Sequence, residues 1–187
     1  MQRSNLTNIM IAKYKNEIVP KLKEEFGLKN DLSLPFLEKI VLNMGLAESL
    51  TNKDTLEKAM EHLAAISGQK PKFTKAKKSI SSFKLREGDK IGAMVTLRGQ
   101  KAWHFLEKLI AIVSPRIRDF RGVDDSKFDK LGNYSFGIAE QIIFPEINYA
   151  QVDKIRGMVI TLVFKNSNPE KSKKLLELLG LPFKKNN

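Results

Sequence analysis

The chain has 187 residues, 42% of them hydrophobic, and carries 33 basic against 21 acidic residues for a formal net charge of +12. This size and apolar content are enough for one domain with a single core, which argues against disorder throughout the chain. Zero cysteines exclude disulfides, thiolate catalysis and Cys-ligated zinc, and two isolated histidines leave little for another metal site. The positive charge favours RNA, DNA or an anionic membrane surface as partner, with nucleic acid as the leading interpretation.

No stretch approaches the roughly 18 uncharged apolar residues of a membrane span. Near the N-terminus Lys13, Lys15 and Glu17 interrupt the apolar residues, a pattern that a signal peptide does not have. We therefore expect a cytosolic protein without a membrane partner.

Residues 5–27 show apolar side chains at spacings of three to five, which predicts an amphipathic helix that Pro20 kinks or splits and Gly27 ends. Residues 36–46 alternate in character and predict a first strand. One face of this strand holds Ile40, Leu42 and Met44, and the opposite face holds Val41, Asn43 and Gly45.

A second helix is predicted for residues 52–67, with Thr51 or Asn52 as its cap and Gly68 as its end. A later strand is predicted for residues 89–98, half-buried and with a polar, basic back. Its inward positions are Ile91, Ala93, Val95 and Leu97, and its outward positions are Lys90, Gly92, Met94, Thr96 and Arg98.

A third helix follows Gly99 and is limited by Pro115, with Trp103 at the edge of its packing. Residues 114–133 predict a long irregular connection, and residues 134–144 an extended segment.

The last strand, residues 157–164, has apolar side chains at both its odd and its even positions, which point to opposite faces. It is therefore predicted to be central and buried on both faces. Asn168 is predicted to cap a short C-terminal helix with Pro169 at its first position and Gly180 at its end. Together the elements predict an α+β fold: one mostly antiparallel sheet with helices packed on one face and a polar face toward the partner. We expect a single domain over residues 1–187 with a projecting loop at about 74–83.

Residues 69–86 contain seven cations and no carboxylate. After Pro71 they predict a short edge strand at 72–74 and then a mobile loop. Such a run repels itself, so it projects into water or meets a polyanion; a solvated charge run is the alternative. Phe73 and Phe83 are able to stack on bases, although anchoring the base of the loop in the core is the favoured interpretation.

A second feature also points to RNA, because Asn43, Thr96 and Arg98 lie opposite the apolar stripes of their strands. If the strands share a sheet, its open face presents an amide, a hydroxyl and a guanidinium together. On strand alternation alone, an ordinary polar outer face without a binding role is an equally good interpretation of these residues.

Catalysis has less support. Asp124, Asp125 and Asp129 crowd one loop, but their spacing matches no calcium-binding loop, and no glycine-rich phosphate loop is present. His62 and His104 each lie in a predicted amphipathic helix without a visible catalytic partner. We expect no catalytic residue, cofactor, metal or small-molecule substrate; a nucleic-acid-processing enzyme that uses the three aspartates is the alternative.

Many segments, in order from about residue 8 to 183, carry a family resemblance. They include Glu38-Lys39-Ile40-Val41-Leu42-Asn43-Met44-Gly45, Gly68-Gln69-Lys70-Pro71, Ala76-Lys77-Lys78-Ser79-Ile80, Val95-Thr96-Leu97-Arg98-Gly99, Arg118-Asp119-Phe120-Arg121-Gly122 and Gln141-Ile142-Ile143-Phe144-Pro145-Glu146-Ile147. The chain resembles the bacterial family of large-subunit ribosomal protein five.

This resemblance implies a structural protein of the ribosomal central protuberance, working in the cytoplasmic ribosome. It implies contacts with 5S ribosomal RNA, which the protein helps attach to the large-subunit RNA, with the peptidyl-site tRNA and with small-subunit protein thirteen. The predicted 5S RNA surface comprises Asn43, Met44, Gly45, Gln69, Lys70, Thr96 and Arg98. The predicted tRNA loop comprises Lys75, Ala76, Lys77, Lys78, Ser79, Ile80, Ser81 and Ser82, and the region of the intersubunit bridge contains Arg116, Arg118 and Arg121.

The chain departs from the family pattern at two places. Lys130 replaces a flexible glycine and Leu131 replaces an arginine, so the RNA or bridge contact of that arginine is not expected here. Ala139 stands where a basic residue is common. A free RNA chaperone outside the ribosome is a further alternative.

Overall fold

The computed structural model describes residues 6–46, 53–118, 120–149 and 152–184. Its α-helices are α1 Leu6–Lys13, α2 Val19–Phe26, α3 Lys53–Ser67, α4 Gln100–Lys108, α5 Ser114–Arg116 and α6 Pro169–Leu179. Its strands are β1 Phe36–Gly45, β2 Lys72–Lys75, β3 Lys90–Arg98, β4 Tyr134–Ile138 and β5 Met158–Lys165. The predicted α+β class is confirmed.

The five strands form one antiparallel sheet in the order β2-β3-β1-β5-β4. The predicted edge strand is β2, and β5 lies between β1 and β4. The strands longer than four residues bury alternate side chains over most of their length, as a sheet with one covered face requires; in β1 the alternation runs from Ile40 to Gly45. The prediction that the last strand is buried on both faces is wrong: Val159 on the second face is 44% exposed.

Two helices change to a π-helical turn just before a proline. The Val19 N–H donates to the Tyr14 carbonyl, five residues back, and the Ser114 N–H donates in the same way to Leu109. The next residues are Pro20 and Pro115, which have no N–H to continue the α-helical pattern. Pro20 was predicted to kink or split the first helix; it interrupts the α-helical hydrogen bonding, while the chain stays helical from Leu6 to Phe26.

Helix α6 begins and ends as the sequence predicts. The Asn168 side chain accepts a hydrogen bond from the Lys171 N–H at 2.8 Å, and Gly180 closes the helix with a left-handed φ of 101°. Gly68 similarly ends α3, whereas its predicted cap, Thr51 or Asn52, lies outside the described residues.

Contacts between Cα atoms divide the chain into two compact units, so the single domain stays a prediction. Unit 1 comprises Met1–Ile40, Arg98–Phe136 and Thr161–Asn187, and unit 2 comprises Val41–Leu97 and Gly137–Ile160. In unit 1 the Trp103 ring lies 5.3 Å from Tyr14 and 5.8 Å from Phe36. Trp103 is only 2% exposed, so the prediction that it lies at the edge of the packing is wrong.

The segment predicted as extended from 134 to 144 is a strand only as far as Ile138. Gln141–Ile143 instead forms a 3-10 turn. The Gln141 side chain is fully buried and hydrogen-bonded, which explains why the strand pattern stops.

Candidate nucleic-acid interface

The outer face of unit 2 contains most of the predicted 5S RNA surface. Asn43 and Gly45 are exposed on β1, and Thr96 is half-buried on β3. Met44 lies between the two β1 positions, but its side chain is 0% exposed and belongs to the core. A contact by Met44 therefore has to come from its main chain.

Gln69 and Thr96 are brought together as predicted. The Gln69 Nε2 donates to the Thr96 carbonyl oxygen at 3.2 Å. Ser67 Oγ, at the end of α3, accepts from the Gln69 N–H at 3.3 Å and donates to the Leu63 carbonyl at 2.6 Å. These bonds attach the end of α3 to β3 and fix Gln69 in place, and the neighbouring Lys70 is exposed.

The same face contains an open depression of about 400 Å³ that the sequence reasoning missed. We call it the glycine depression, and it is lined by Asn43, Gly45, Gly137, Ile138, Ala139, Gly157, Met158 and Val159. A Cβ atom added to Gly45 or Gly137 has no neighbour within 4 Å, and neither residue has a positive φ. The internal packing of unit 2 therefore does not require glycine at these two positions.

Gly92 shows what a structurally required glycine looks like in the same sheet. A Cβ on Gly92 would collide with the Met44 carbonyl oxygen and lie 2.7 Å from Thr74 Oγ1. The register of β2 against β3 shifts close by, since Thr74 pairs with Gly92 whereas Lys75 pairs with Lys90. Gly92 thus serves the fold, in contrast to Gly45 and Gly137.

The chain on either side of the glycine depression is fastened by a cluster that we call the Gln141 clamp, formed by Gln141, Asp153 and Arg156. The Gln141 side chain accepts from the Arg156 N–H and donates to the Lys154 carbonyl at 2.8 Å. The Arg156 guanidinium, 7% exposed, donates to both Asp153 carboxylate oxygens at 2.8 and 2.9 Å. This bidentate contact holds the pKa of Asp153 well below its usual value.

Arg98, the last predicted member of the surface, belongs to unit 1. Its guanidinium lies 3.2 Å from the Glu38 carboxylate, which Lys39 approaches at 3.7 Å. Arg98 and Glu38 are 58% and 40% exposed, so this ion pair contributes little to stability and can be exchanged for a phosphate contact.

Lys75, the first residue of the predicted tRNA loop, is the last residue of β2. The rest of the predicted loop belongs to a hydrogen-bonded extension, residues 76–89, that we call the basic hairpin. The Ala76 N–H donates to the Asp89 carbonyl at 2.8 Å, and the Gly88 N–H donates to the Ala76 carbonyl at 3.0 Å. Ala76 is buried, so it closes the base of the hairpin rather than presenting a side chain. The mobility of the loop stays a prediction, but its backbone has a defined hydrogen-bonded path.

The tip of the basic hairpin is a compact turn. Ile80 and Leu85 exchange two main-chain hydrogen bonds of 2.9 and 3.1 Å, and Ser81–Phe83 forms a 3-10 turn that Lys84 closes with a φ of 52°. Phe83 is 69% exposed, so the interpretation that it anchors the loop in the core is wrong.

Phe73 is also exposed, by 37%, and does not anchor the loop either. The Lys90 ammonium lies 4.1 Å from the centroid of its ring. One face of the Phe73 ring is therefore already covered by a cation.

The predicted bridge arginines, Arg116, Arg118 and Arg121, are all exposed in unit 1. The connection beyond them is fastened to the C-terminal segment: the Val123 N–H donates to the Pro182 carbonyl at 2.8 Å, and the Lys184 N–H donates to Val123 at 3.0 Å. The connection is therefore irregular, as predicted, but held in place.

The three crowded aspartates are occupied by protein groups. Asp124 accepts the Ser126 N–H at 3.0 Å, which lowers the pKa of its carboxyl, and Asp125 lies 2.9 Å from the Lys173 ammonium. Burial alone would raise the pKa of Asp129, but hydrogen bonds, led by those from Asn133, outweigh it and lower the pKa. In the described ranges no cluster of carboxylates and histidines suits a metal ion.

The two histidines form no catalytic pair with these groups. Burial and then the nearby Arg156 charge lower the pKa of His62. Among the helices that the structure describes, none is long and apolar enough to cross a membrane.

Strand alternation identified Asn43, Gly45 and Thr96, but the other glycines of the depression were missed. Gly137 lies between buried Phe136 and Ile138, so its outward position was readable from the sequence. Its proximity to Gly45 was not readable, because it depends on the strand order β1-β5-β4.

Comparison with known proteins gives a consistent result along the chain. The family model described as Ribosomal protein L5 matches residues 30–86, and the model that describes the C-terminus of the same ribosomal family matches residues 90–183. The large ribosomal subunit protein uL5 of Lactococcus lactis subsp. cremoris (strain MG1363) is 51% identical over 180 residues, 96% of this chain and 100% of that protein. The protein of the same name from Desulfatibacillum aliphaticivorans is 53% identical over 174 residues, 93% of this chain and 97% of that protein.

Proposed function

Because the chain belongs to the ribosomal protein L5 family and is a non-enzymatic, rRNA-binding component of the large ribosomal subunit, we propose that the outer sheet face of unit 2 binds 5S ribosomal RNA. The site of action is the cytoplasmic ribosome. Through this contact the protein helps attach 5S RNA to the large-subunit RNA in the central protuberance.

The observation that carries this proposal is the glycine depression beside exposed Asn43. A glycine inside a strand costs about 0.5 to 1 kcal/mol relative to alanine, yet Gly45 and Gly137 meet no internal neighbour that requires it. A surface without side chains allows an RNA backbone or sugar edge to approach the main chain closely. The amide of Asn43 and the hydroxyl of Thr96 supply donors and acceptors for 2′-hydroxyls and base edges.

Exposed cations supply the second part of the proposed mechanism. The basic hairpin presents Lys77 and Lys78 to solvent, which suits attraction to the phosphates of a second RNA, the peptidyl-site tRNA. In unit 1, Arg116, Arg118 and Arg121 suit the bridge to small-subunit protein thirteen. Leu131, where the family has an arginine, is 71% exposed, so this departure replaces a cation by an apolar side chain at the surface of the connection.

Equilibrium binding of 5S RNA by the full chain tests the division of labour. Asn43→Ala is expected to weaken affinity by roughly 1 to 3 kcal/mol, because an RNA polar group loses its partner in a desolvated contact. Lys77→Ala is the control and should change 5S RNA affinity little. Equal losses of 5S RNA affinity for the two variants would refute the assignment of 5S RNA to the sheet face and of tRNA to the basic hairpin. An unchanged affinity for Asn43→Ala would mean that 5S RNA does not bind this face.

A free RNA chaperone is the second candidate, since it also needs exposed cations. Chaperone activity predicts weak binding of many RNAs with similar affinity. Co-purification at moderate salt separates the two: we expect one discrete RNA, 5S, rather than a broad mixture.

A further inference from the structure

We propose that the Phe83 ring stacks on the exposed face of a nucleobase in a folded RNA. Ile80 lies in the same turn and adds apolar surface. The inference rests on the proposed contact of the basic hairpin with tRNA and adds the chemistry of that contact. Phe83 is 69% exposed and Ile80 is 41% exposed. Two large apolar side chains in one short turn leave apolar area in water that the fold does not cover.

Hydrogen bonds define the main-chain path of the turn at Phe83. The Phe83 N–H donates to the Ile80 carbonyl at 3.3 Å, and the Lys84 N–H donates to Ser81 at 3.0 Å. Below the turn, the Ser79 hydroxyl oxygen accepts from the Glu87 N–H at 2.9 Å, which ties the two sides of the hairpin together. Because these bonds define the main-chain path at residue 83, stacking has to order little besides the Phe83 side chain, which has only two rotatable bonds.

Charge decides what kind of partner meets this ring. Lys77, Lys78, Lys84 and Arg86 are all exposed in the same hairpin. The Asp89 carboxylate accepts the Arg86 N–H at 2.7 Å and is thereby engaged at the hairpin base. Cations around an exposed aromatic ring match a ligand that has both phosphates and unpaired base faces, which is how proteins bind unstacked positions of RNA.

Phe73 provides the internal contrast. It is the other exposed aromatic residue of the basic stretch, but the Lys90 ammonium already lies 4.1 Å from its ring centroid. We therefore assign stacking to Phe83 and not to Phe73.

The test uses large subunits assembled with variant chains and measures the dissociation constant of tRNA in the peptidyl site. Phe83→Ala and Phe83→Leu are both expected to weaken binding by about 5- to 150-fold, the range covered by one base stacked on an aromatic side chain. Phe83→Trp should retain affinity because it keeps a flat ring. Phe73→Leu is the matched control and should leave the dissociation constant unchanged.

Phe83→Trp also supplies a direct optical signal. The chain has one tryptophan, and Trp103 is only 2% exposed, so a second indole at position 83 dominates quenching by added acrylamide. On titration of the free full-length variant with tRNA, we expect its fluorescence to fall and its accessibility to acrylamide to decrease.

Three other outcomes overturn the inference, and they are distinguishable. Full affinity for Phe83→Leu together with loss for Phe83→Ala would mean a plain apolar contact, as with a protein partner. Unchanged affinity for all Phe83 variants, with loss for the double variant Lys77→Ala and Lys78→Ala, would leave the tRNA contact standing on charge alone. If neither set changes tRNA binding, the proposed tRNA contact fails together with the inference.

Discussion

The glycine depression lies on a sheet face and has few charges, whereas the basic hairpin extends beyond the sheet and exposes several cations around an aromatic ring. The depression is lined by main chain and small side chains from β1, β4 and the start of β5. The hairpin instead presents Lys77, Lys78 and Phe83 at its surface. Both belong to unit 2.

This difference fits the two kinds of RNA binding that we propose for the two surfaces. A surface fixed by strand hydrogen bonds recognises shape, and its affinity depends on close approach and on polar groups that lose water. A projecting cationic segment gains affinity from counterion release, which depends strongly on salt and little on sequence. A substitution in the glycine depression should therefore leave tRNA binding unchanged, and a substitution in the basic hairpin should leave 5S RNA binding unchanged.

The largest loss of stability is expected from breaking the Gln141 clamp, which lies beside the glycine depression and not in the basic hairpin. Gln141→Leu leaves the Arg156 N–H without its side-chain acceptor and removes the 2.8 Å hydrogen bond to the Lys154 carbonyl, which keeps a long contact of 3.5 Å with the Arg156 guanidinium. An unpaired buried group costs about 1 to 3 kcal/mol and the second lost hydrogen bond adds about 1 kcal/mol, so we expect the free energy of unfolding in urea to fall by about 2 to 4 kcal/mol.

The matched change in the hairpin is Ser79→Ala, which removes one exposed hydrogen bond to the Glu87 N–H. It should cost less than about 1 kcal/mol. A Gln141→Leu variant as stable as Ser79→Ala would mean that the clamp does not hold the rim of the depression.

Filling the depression should separate binding from stability. Gly137→Val places a β-branched side chain at an open strand position, so the variant should be at least as stable as the parent chain. Its affinity for 5S RNA should nevertheless fall by roughly 1 to 3 kcal/mol, the usual cost of overpacking a close-fitting contact. Isothermal titration with 5S RNA and thermal unfolding measure the two quantities.

Gly92→Ala is the opposite control. Its added methyl group collides with the Met44 carbonyl oxygen, so the variant should lose stability first and RNA binding only as a consequence. Unchanged 5S RNA affinity for Gly137→Val would exclude the depression from the interface.

The salt dependence of binding sharpens the comparison on the hairpin side. Replacing Lys77 and Lys78 by alanine should reduce the slope of log affinity for tRNA against log salt by about 1.4 if both meet single-stranded phosphates. The slope for 5S RNA should stay the same. Equal reductions for both RNAs would show that the two surfaces serve the same RNA.

Strand alternation was sufficient to find single polar positions, because the burial of Leu42 and Val95 fixes which way Asn43 and Thr96 point. The end of α3 was predictable in the same local way, from Gly68. The order of the strands in the sheet was not predictable, since it joins strands that are distant in sequence. For the same reason the sequence did not show that Gly45 and Gly137 line one depression.

The errors about aromatic residues have a related cause. Periodicity places Trp103 on a helix but does not reveal that Tyr14 and Phe36 enclose it. Phe83 was expected inside because aromatic side chains usually are, yet the 3-10 turn that ends at Phe83 directs it to solvent. Residue type predicted burial correctly only where a neighbouring element covers the side chain.

The smallest effect concerns pH and again involves only the depression side, through Asp153. The contact with Arg156 lowers the pKa of Asp153 in the folded chain below its value in the unfolded chain, where the carboxyl has its ordinary pKa near 4. The resulting stabilisation is present above the unfolded-state pKa and is lost as the pH falls through the folded-state pKa. Stability should therefore decline from about pH 5 downward.

Asp153→Asn keeps a hydrogen-bond acceptor but removes the charge. We expect it to lower the free energy of unfolding at pH 7 by at most about 1 kcal/mol, since the Asp153 side chain is 30% exposed, and to flatten the decline below pH 5. Urea unfolding at pH 7, 5 and 3 measures both effects. If the free energies of unfolding of the parent and the variant change with pH in parallel, the Asp153–Arg156 ion pair contributes nothing to the pH dependence of stability. In that case the neutral hydrogen bonds of Gln141 alone hold the rim of the glycine depression.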